Sequence, residues 1–268
     1  MRPNKRLGQH FLADPAILNR IVDALDCSPG ETIIEVGPGR GSLTEVLLAR
    51  GARVIAVEKD PRLAAEVGMR NAERGTDRLS VVQGDALKVD WHTLVETHPD
   101  VPRSAFPLPH FKVVGNIPYN ITSPLIEKAL TPPLPERIVF LVQLEVARRI
   151  AAAPGGKTYG ALSIGVQAQC RVEELFTVLP GSFRPAPKVK SALLRLTPLA
   201  EPLVRPDEVA PLRAFVTACF SRRRKQLHNA VPGATAAALT ALGFDPKARP
   251  ETLAPADFVR LLRWSQQL

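Results

Sequence analysis

The sequence predicts an α/β fold, a Rossmann-like twisted sheet closed by an antiparallel strand pair, with a small all-α unit after it. Three observations lead there. Thr32-Ile33-Ile34-Glu35-Val36 is a nearly continuous apolar run, as in parallel strands covered on both faces, and a glycine turn, a helix, a second strand and a terminal acid follow it. Further short apolar runs at 79–82, 113–115 and 137–142 are separated by longer stretches that leave room for crossover connections. After Pro198 the composition shifts to helix formers, which places a boundary near 200 and divides the chain into a catalytic part, 1–199, and a helical part, 200–268.

Residues 14–26 put Ile17, Ile21, Val22 and Leu25 on one helical face, with Asp14 as N-cap and Pro15 at the first helical position. Ser28-Pro29-Gly30 turns the chain into the 32–36 strand. Gly37-Pro38-Gly39-Arg40-Gly41 then leads into a helix opening at Ser42, and Arg53 to Val57 forms a strand ending at Glu58. The glycines at 37, 39 and 41 read G-x-G-x-G, whereas the dinucleotide fingerprint needs a glycine at 42, which is Ser. Pro38 also removes a backbone donor that a pyrophosphate would use. A phosphate-free nucleoside ligand fits better, and S-adenosylmethionine is the commonest. Glu58, about 20 residues beyond the glycines, stands where an acid accepts from ribose hydroxyls. Asp85 and Ala86 leave the 79–82 strand, and Asp85 suits the amine of the same ligand's adenine.

Residues 99–110 hold four prolines and read as an extended surface loop. The stretch at the centre of the chain follows, V-V-G-N-I-P-Y over 113–119. Pro118 cannot donate to a ladder, so the chain leaves the sheet here and presents Asn116 and Tyr119 at a strand's carboxyl end, where open α/β sheets bind ligands. An amine on a flat heteroaromatic ring suits this trio. The Asn116 carbonyl oxygen and a backbone carbonyl of the turn accept its two hydrogens while Tyr119 stacks on the ring. The exocyclic nitrogen of adenine is a poor nucleophile because its lone pair is delocalised. Two acceptors drawing its hydrogens out of plane favour a pyramidal nitrogen, which is orientation and electrostatic preorganisation without a strong base.

Downstream, Ser123 is expected to cap a helix through Leu130, with Pro124 at its first position. Residues 137–142 form a strand, 144–152 a helix, 154–160 a mobile loop and 161–169 a helix. Residues 171–179 and 189–197 alternate as an antiparallel pair. Between them, Phe183-Arg184-Pro185-Ala186-Pro187-Lys188 displays Phe183 as a second stacking face and Lys188 toward a nucleic-acid backbone. Asp207 to Phe220 is amphipathic, and Ser221 caps a basic helix holding Arg222, Arg223, Arg224 and Lys225. Segments 234–242 and 255–268 complete a small bundle, with Gly243 as a stop.

Composition bounds the partners. The net charge of +9 comes from 35 Lys+Arg against 26 Asp+Glu, with acid-free basic clusters near both ends, and it favours a polyanion. Cys27, Cys170 and Cys219 are odd in number and lack C-x-x-C spacing, which argues for buried thiols in a reducing cytosol over a disulfide scaffold or zinc site. No run reaches the roughly 18 apolar residues of a membrane span, and residues 1–6 carry no apolar leader, so a cytoplasmic location is expected; the chain is also expected to act as a monomer.

Several motifs occur in fixed order: G-Q-H-F-L at 8–12, E-V-G-P-G-R-G-S-L-T at 35–44, G-N-I-P-Y-N-I at 115–121, Q-L-E-V-A at 143–147 and F-R-P-A-P-K-V-K-S at 183–191. Together they resemble the ribosomal RNA adenine dimethyltransferase family over about 4–230, most closely its bacterial small-subunit branch. The resemblance implies that His10, Leu12, Gly37, Gly39 and Gly41 surround S-adenosylmethionine, with Glu58 at its ribose and Asp85 and Ala86 at its adenine. Asn116 and Tyr119 would hold the target base, with Phe183 assisting. His10 departs from the Asn of many relatives. The implied reaction is dimethylation of two adjacent adenines near the 3′ end of 16S rRNA within an immature small subunit, with no metal. Two other readings stay open. One is a 23S rRNA methylase of the resistance type or a DNA adenine methylase; the other is a non-catalytic RNA-binding assembly or transcription factor on the same fold.

Overall fold

The computed structural model describes residues 9–97 and 110–267. The Pro-rich loop expected over 99–110 and the basic residues before Gly8 therefore lie outside the described residues, His110 excepted. The strands are β1 (Phe11–Leu12), β2 (Thr32–Val36), β3 (Arg53–Glu58), β4 (Leu79–Gln83), β5 (Phe111–Asn116), β6 (Arg137–Gln143), β7 (Cys170–Val178), β8 (Phe183–Arg184) and β9 (Ser191–Pro198). The helices are α1 (Pro15–Leu25), α2 (Ser42–Ala49), α3 (Pro61–Arg74), α4 (Trp91–Thr97), α5 (Thr122–Ala129), α6 (Leu144–Ile150), α7 (Ala161–Gln167), α8 (Val209–Ser221), α9 (Leu227–Ala230), α10 (Ala236–Ala241) and α11 (Pro255–Ser265).

Seven strands form one sheet in the order β4-β3-β2-β5-β6-β9-β7. The first five are parallel and β9 runs antiparallel to β6. The chain works outward from β2 through β3 to β4, then returns to place β5 on the other side of β2. That reversal makes the crevice beyond β2 and β5 the place where an open sheet receives a ligand. Val36 lies in register with Gly115 there. A Cβ on Gly115 would stand 2.6 Å from the Val36 carbonyl oxygen, so only glycine lets the two strands meet at this point.

Local chemistry sets the elements around the crevice. Asp14 accepts from the amides of Ala16 and Ile17, Pro15 starts α1, and Leu18, Ile21, Val22 and Leu25 bury the face that covers the sheet. Asp60 and Pro61 repeat the device at α3, a helix the periodicity did not single out. The helix expected to start at Pro124, capped by Ser123, begins two residues earlier at Thr122, after a 3₁₀ turn over Tyr119–Ile121. The hydroxyl that reaches back is that of Thr122, donating to the Pro118 carbonyl at 3.4 Å, so Ser123 is no cap.

Contacts divide the chain into two units, one of residues 1–147 and 173–197, the other of 148–172 and 198–268. A continuous break at 199/200 does not describe this. The reason is visible in the helical unit's own core, where Tyr159, Ile164 and Ala168 pack with Leu212, Phe215, Leu239 and Phe258. The 154–160 segment is likewise no mobile loop. Tyr159 is 1% exposed and its hydroxyl donates to Leu253 O at 2.9 Å, while the Gly155 amide donates to Glu251 O at 2.7 Å. In the same unit Arg263 bonds Glu208 through Nε and Nη2, both at 2.8 Å, and holds that buried carboxyl down at about 2. Cys170 and Cys219 are buried thiols pushed up to about 12 by burial, whereas Cys27 is half-buried. Among the described residues, no helix is long and apolar enough to cross a membrane.

Candidate active site

One cleft opens where β2, β3, β4 and β5 end, and most of the anticipated residues line it: His10, Leu12, Gly37, Gly39, Glu58, Asp85, Ala86, Asn116 and Tyr119. Gly41 does not line it. It sits at positive φ (+81°) as the residue before α2 and turns the chain into that helix. Gly39 is at φ +58°, and a Cβ there would lie 2.9 Å from the Phe11 ring, so a side chain would strain the backbone and displace β1 at once.

Glu58 is buried at the end of β3. Its Oε2 accepts from the Gly39 amide at 3.1 Å and its Oε1 from the Asp60 amide at 2.8 Å. Burial raises its pKa, and the two amides partly oppose that. Each oxygen keeps a lone pair for a further donor, which fits the expected ribose hydroxyls. Asp85 is more occupied than expected. Its Oδ2 accepts from Lys59 Nζ and its Oδ1 from the Leu87 amide, and the hydrogen bond from Lys59 foremost lowers its pKa. The Trp91 indole donates to the Ala86 carbonyl and fixes the wall beside it.

The Asn116 side chain is oriented by one bond. Its Nδ2 donates to the His10 carbonyl at 2.7 Å. A carbonyl can only accept, so the amide nitrogen must face His10, which leaves Oδ1 as an acceptor with no protein donor among the described residues. The His10 imidazole Nδ1 donates to Pro185 O at 2.8 Å, and its ring stacks on Tyr119 at 5.9 Å between centroids, tilted by 26°. Tyr119 is further held by Ser191, hydroxyl to hydroxyl at 2.8 Å, and burial raises its pKa. The strap of residues 9–13 therefore assembles the amide and the phenol together. It is pinned by pairing of β1 with β8 and by the Ala13 amide bonding Ser182 O.

Other expectations need correction. Phe183 offers no stacking face: it is 1% exposed, paired with Leu12 and packed in the same apolar core as Leu12, Leu18 and Ile21. A fully apolar ring with a core pocket available goes there. Arg222 to Lys225 form no basic helix. The helix α8 ends at Ser221, whose hydroxyl bonds back to Ala218 O, and Lys225 N bonds Arg222 O in a turn. Arg222 there bonds Asn229 O and Arg223 bonds Lys157 O, while Arg224 and Lys225 are exposed. Lys188 is exposed on the β8–β9 connection.

Sequence reasoning passed over Glu35 and Ser191. Glu35 lines the cleft at 1% exposure, accepts from the Thr44 hydroxyl at 2.6 Å, and is pushed up to about 7 by burial. An acid inside an otherwise apolar strand was the available signal. Ser191 had none, since its partner Tyr119 is 72 positions away.

A seven-stranded sheet with β9 reversed, a glycine turn at the switch point and buried acids at consecutive strand ends define a Rossmann-like methyltransferase. The ribosomal RNA adenine dimethylase profile matches residues 1–267. The chain belongs to that family, and it is an S-adenosylmethionine-dependent rRNA adenine dimethyltransferase. It is 44% identical over 266 residues to Ribosomal RNA small subunit methyltransferase A of Pseudomonas aeruginosa, covering 97% of this chain and 93% of that one. The protein of the same name from Nitrosococcus oceani is 41% identical, covering 98% and 96%. Among solved structures, a dimethyladenosine transferase from Plasmodium falciparum superposes with a TM-score of 0.79 at 30% identity, covering 96% of this chain and 98% of that chain. The 23S rRNA methyltransferase ErmE does so at 0.70 and 28%, covering 94% and 98%.

Proposed function

We propose that this enzyme places two methyl groups on each of two adjacent adenines near the 3′ end of 16S rRNA, within an assembling small subunit in the cytoplasm, and that it acts as a monomer. The small-subunit name carried by relatives at 41–45% identity supports the RNA, and the motif set supports the site. The observation that carries the chemistry is the bond from Asn116 to His10 O, which commits Asn116 Oδ1 to accepting.

S-adenosylmethionine supplies the methyl group on a sulfonium centre. The glycine turn and Glu58 hold it, with Asp85 and Ala86 at its base. The target adenine must leave its stack, which costs a few kcal/mol. Stacking on Tyr119 offsets this by about 1–3 kcal/mol; with Phe183 in the core, that ring works without a second aromatic from β8. Asn116 Oδ1 accepts one amine hydrogen and a carbonyl of the 117–118 turn the other, which turns the nitrogen lone pair toward the methyl carbon.

Replacing Asn116 by Ala should lower methyl transfer by about 10²–10³ while donor affinity stays within about threefold. A tritium-methyl assay with equilibrium binding reads both, and unchanged turnover removes Asn116 from the chemistry. Immature small subunits, naked 23S rRNA and duplex DNA offered in parallel decide the substrate, and methylation of 23S rRNA alone would favour the resistance-type reading that the ErmE likeness keeps in play.

The helical unit supplies phosphate contacts from Arg222, Arg223, Arg224 and Lys225, and the β8–β9 connection supplies Lys188. Such contacts give register more than sequence. Neutralising Arg222, Arg223 and Arg224 should reduce the salt slope of RNA binding by up to about 3. An unaltered slope would take those residues out of the interface.

A further inference from the structure

Glu35 has no part in the chemistry above, yet it occupies the floor of the cleft. Thr44 of α2 bonds it at 2.6 Å. Its register partners are Ala56 of β3 and Val114 of β5, neither of which carries charge. The charge that acts on it is that of another acid, Glu58, which opposes its ionisation. Of the other ionisable groups along the cleft, Lys59 is committed to Asp85, the Arg40 guanidinium lies 5.0 Å from the centre of the Phe11 ring, the His10 imidazole bonds Pro185 O, and Tyr119 bonds Ser191. Among the described residues neither Glu35 nor Glu58 forms a salt bridge. Arg40 and Lys59 also line the cleft, but neither pairs with these two carboxyls. Buried carboxyls left without an ion-pair partner are costly in an empty fold, because charges taken out of water need one. A positively charged ligand resolves that cost, and a neutral one does not.

We propose that Glu35 senses the charge of the methyl donor: it is ionised beside the cationic donor and takes up a proton when the demethylated product occupies the cleft. This rests on the reading of the cleft as the donor site. The two ligands share the adenosine, the amino group and the carboxylate, and differ by one methyl and one positive charge at sulfur. Glu35 is the group able to follow that difference, since burial holds it at about 7, where a small change of field moves its proton. The consequence is selectivity where the enzyme needs it. Repeated transfer to one RNA requires spent donor to leave and fresh donor to enter, and a carboxyl that ionises only for the cation weakens the hold on the product.

The test is calorimetric binding of S-adenosylmethionine and of S-adenosylhomocysteine to the full chain without RNA, in two buffers of different ionisation heat. At pH 7 the donor should release about half a proton, and the product should take up about half of one. The ratio of product Kd to donor Kd should rise several-fold between pH 5.5 and 7.5. Glu35→Gln keeps an acceptor for Thr44, and it should abolish both the proton difference and the pH dependence of the ratio. Equal proton counts for the two ligands in the unsubstituted protein would overturn the inference, and so would a difference that survives in Glu35→Gln. If the variant fails to fold, the counts from the unsubstituted protein decide alone. If neither ligand binds at all, the reading of the cleft as the donor site falls, and this inference with it.

Discussion

The two ends of the parallel sheet treat buried charge in opposite ways. Where β5 and β6 begin, Lys112 is 7% exposed, and its Nζ donates to Asp26 O at 2.6 Å and Glu31 Oε2 at 2.7 Å. Beside it Arg137 donates to Asp26 Oδ2 at 2.8 Å, which lowers the Asp26 pKa. Where β2 and β3 end, Glu35 and Glu58 are as deeply buried but, among the described residues, accept only from a hydroxyl and from backbone amides. Charge met by charge locks a scaffold. Charge met only by dipoles waits for a ligand, and that contrast locates the working end of the molecule without reference to any relative.

The contrast can be broken in two ways. Lys112→Met should destabilise the protein by about 2–3 kcal/mol, since it strands Glu31 and the Asp26 carbonyl; Glu31 is a third exposed and regains some water, which keeps the figure below that of a fully buried pair. Thermal unfolding should register the loss while donor Kd stays put, and a donor affinity that falls with stability would erase the division between the two ends.

Glu35→Gln should act in the other direction. The carboxyl is raised from 4.5 to about 7 in the fold, so ionising it costs stability as pH rises through that window. The variant should therefore gain up to about 3 kcal/mol on the unsubstituted protein at pH 8, and nothing at pH 4, when the ligand-free proteins are melted side by side. A gain independent of pH would mean that Glu35 titrates in the fold as it does in the unfolded chain, and the sheet would then have no strained end.

Much of the cleft was legible because its parts are local. The turn at 37–41, Glu58 and Asp85 at strand ends, and the Asn116–Tyr119 stretch each announce themselves within a few residues, and backbone geometry alone brings the ends of adjacent parallel strands together. Phe183 and the Arg222–Lys225 run were misread for a common reason. An aromatic and a basic run look the same in sequence whether they face solvent, a core or a turn, and packing decides which.

The amino-acid sequence by itself determined the parallel strands, the cap at Asp14, the glycine turn and the chemistry available at Asn116, because these depend on neighbours within one turn or one strand. Tertiary structure alone decided that His10 O would orient Asn116 from 106 positions away, that Ser191 would hold Tyr119, and that residues 148–172 would join the helical unit. Those outcomes depend on which surfaces meet when apolar area is removed from water, and long-range burial of that kind leaves no periodic trace along the chain.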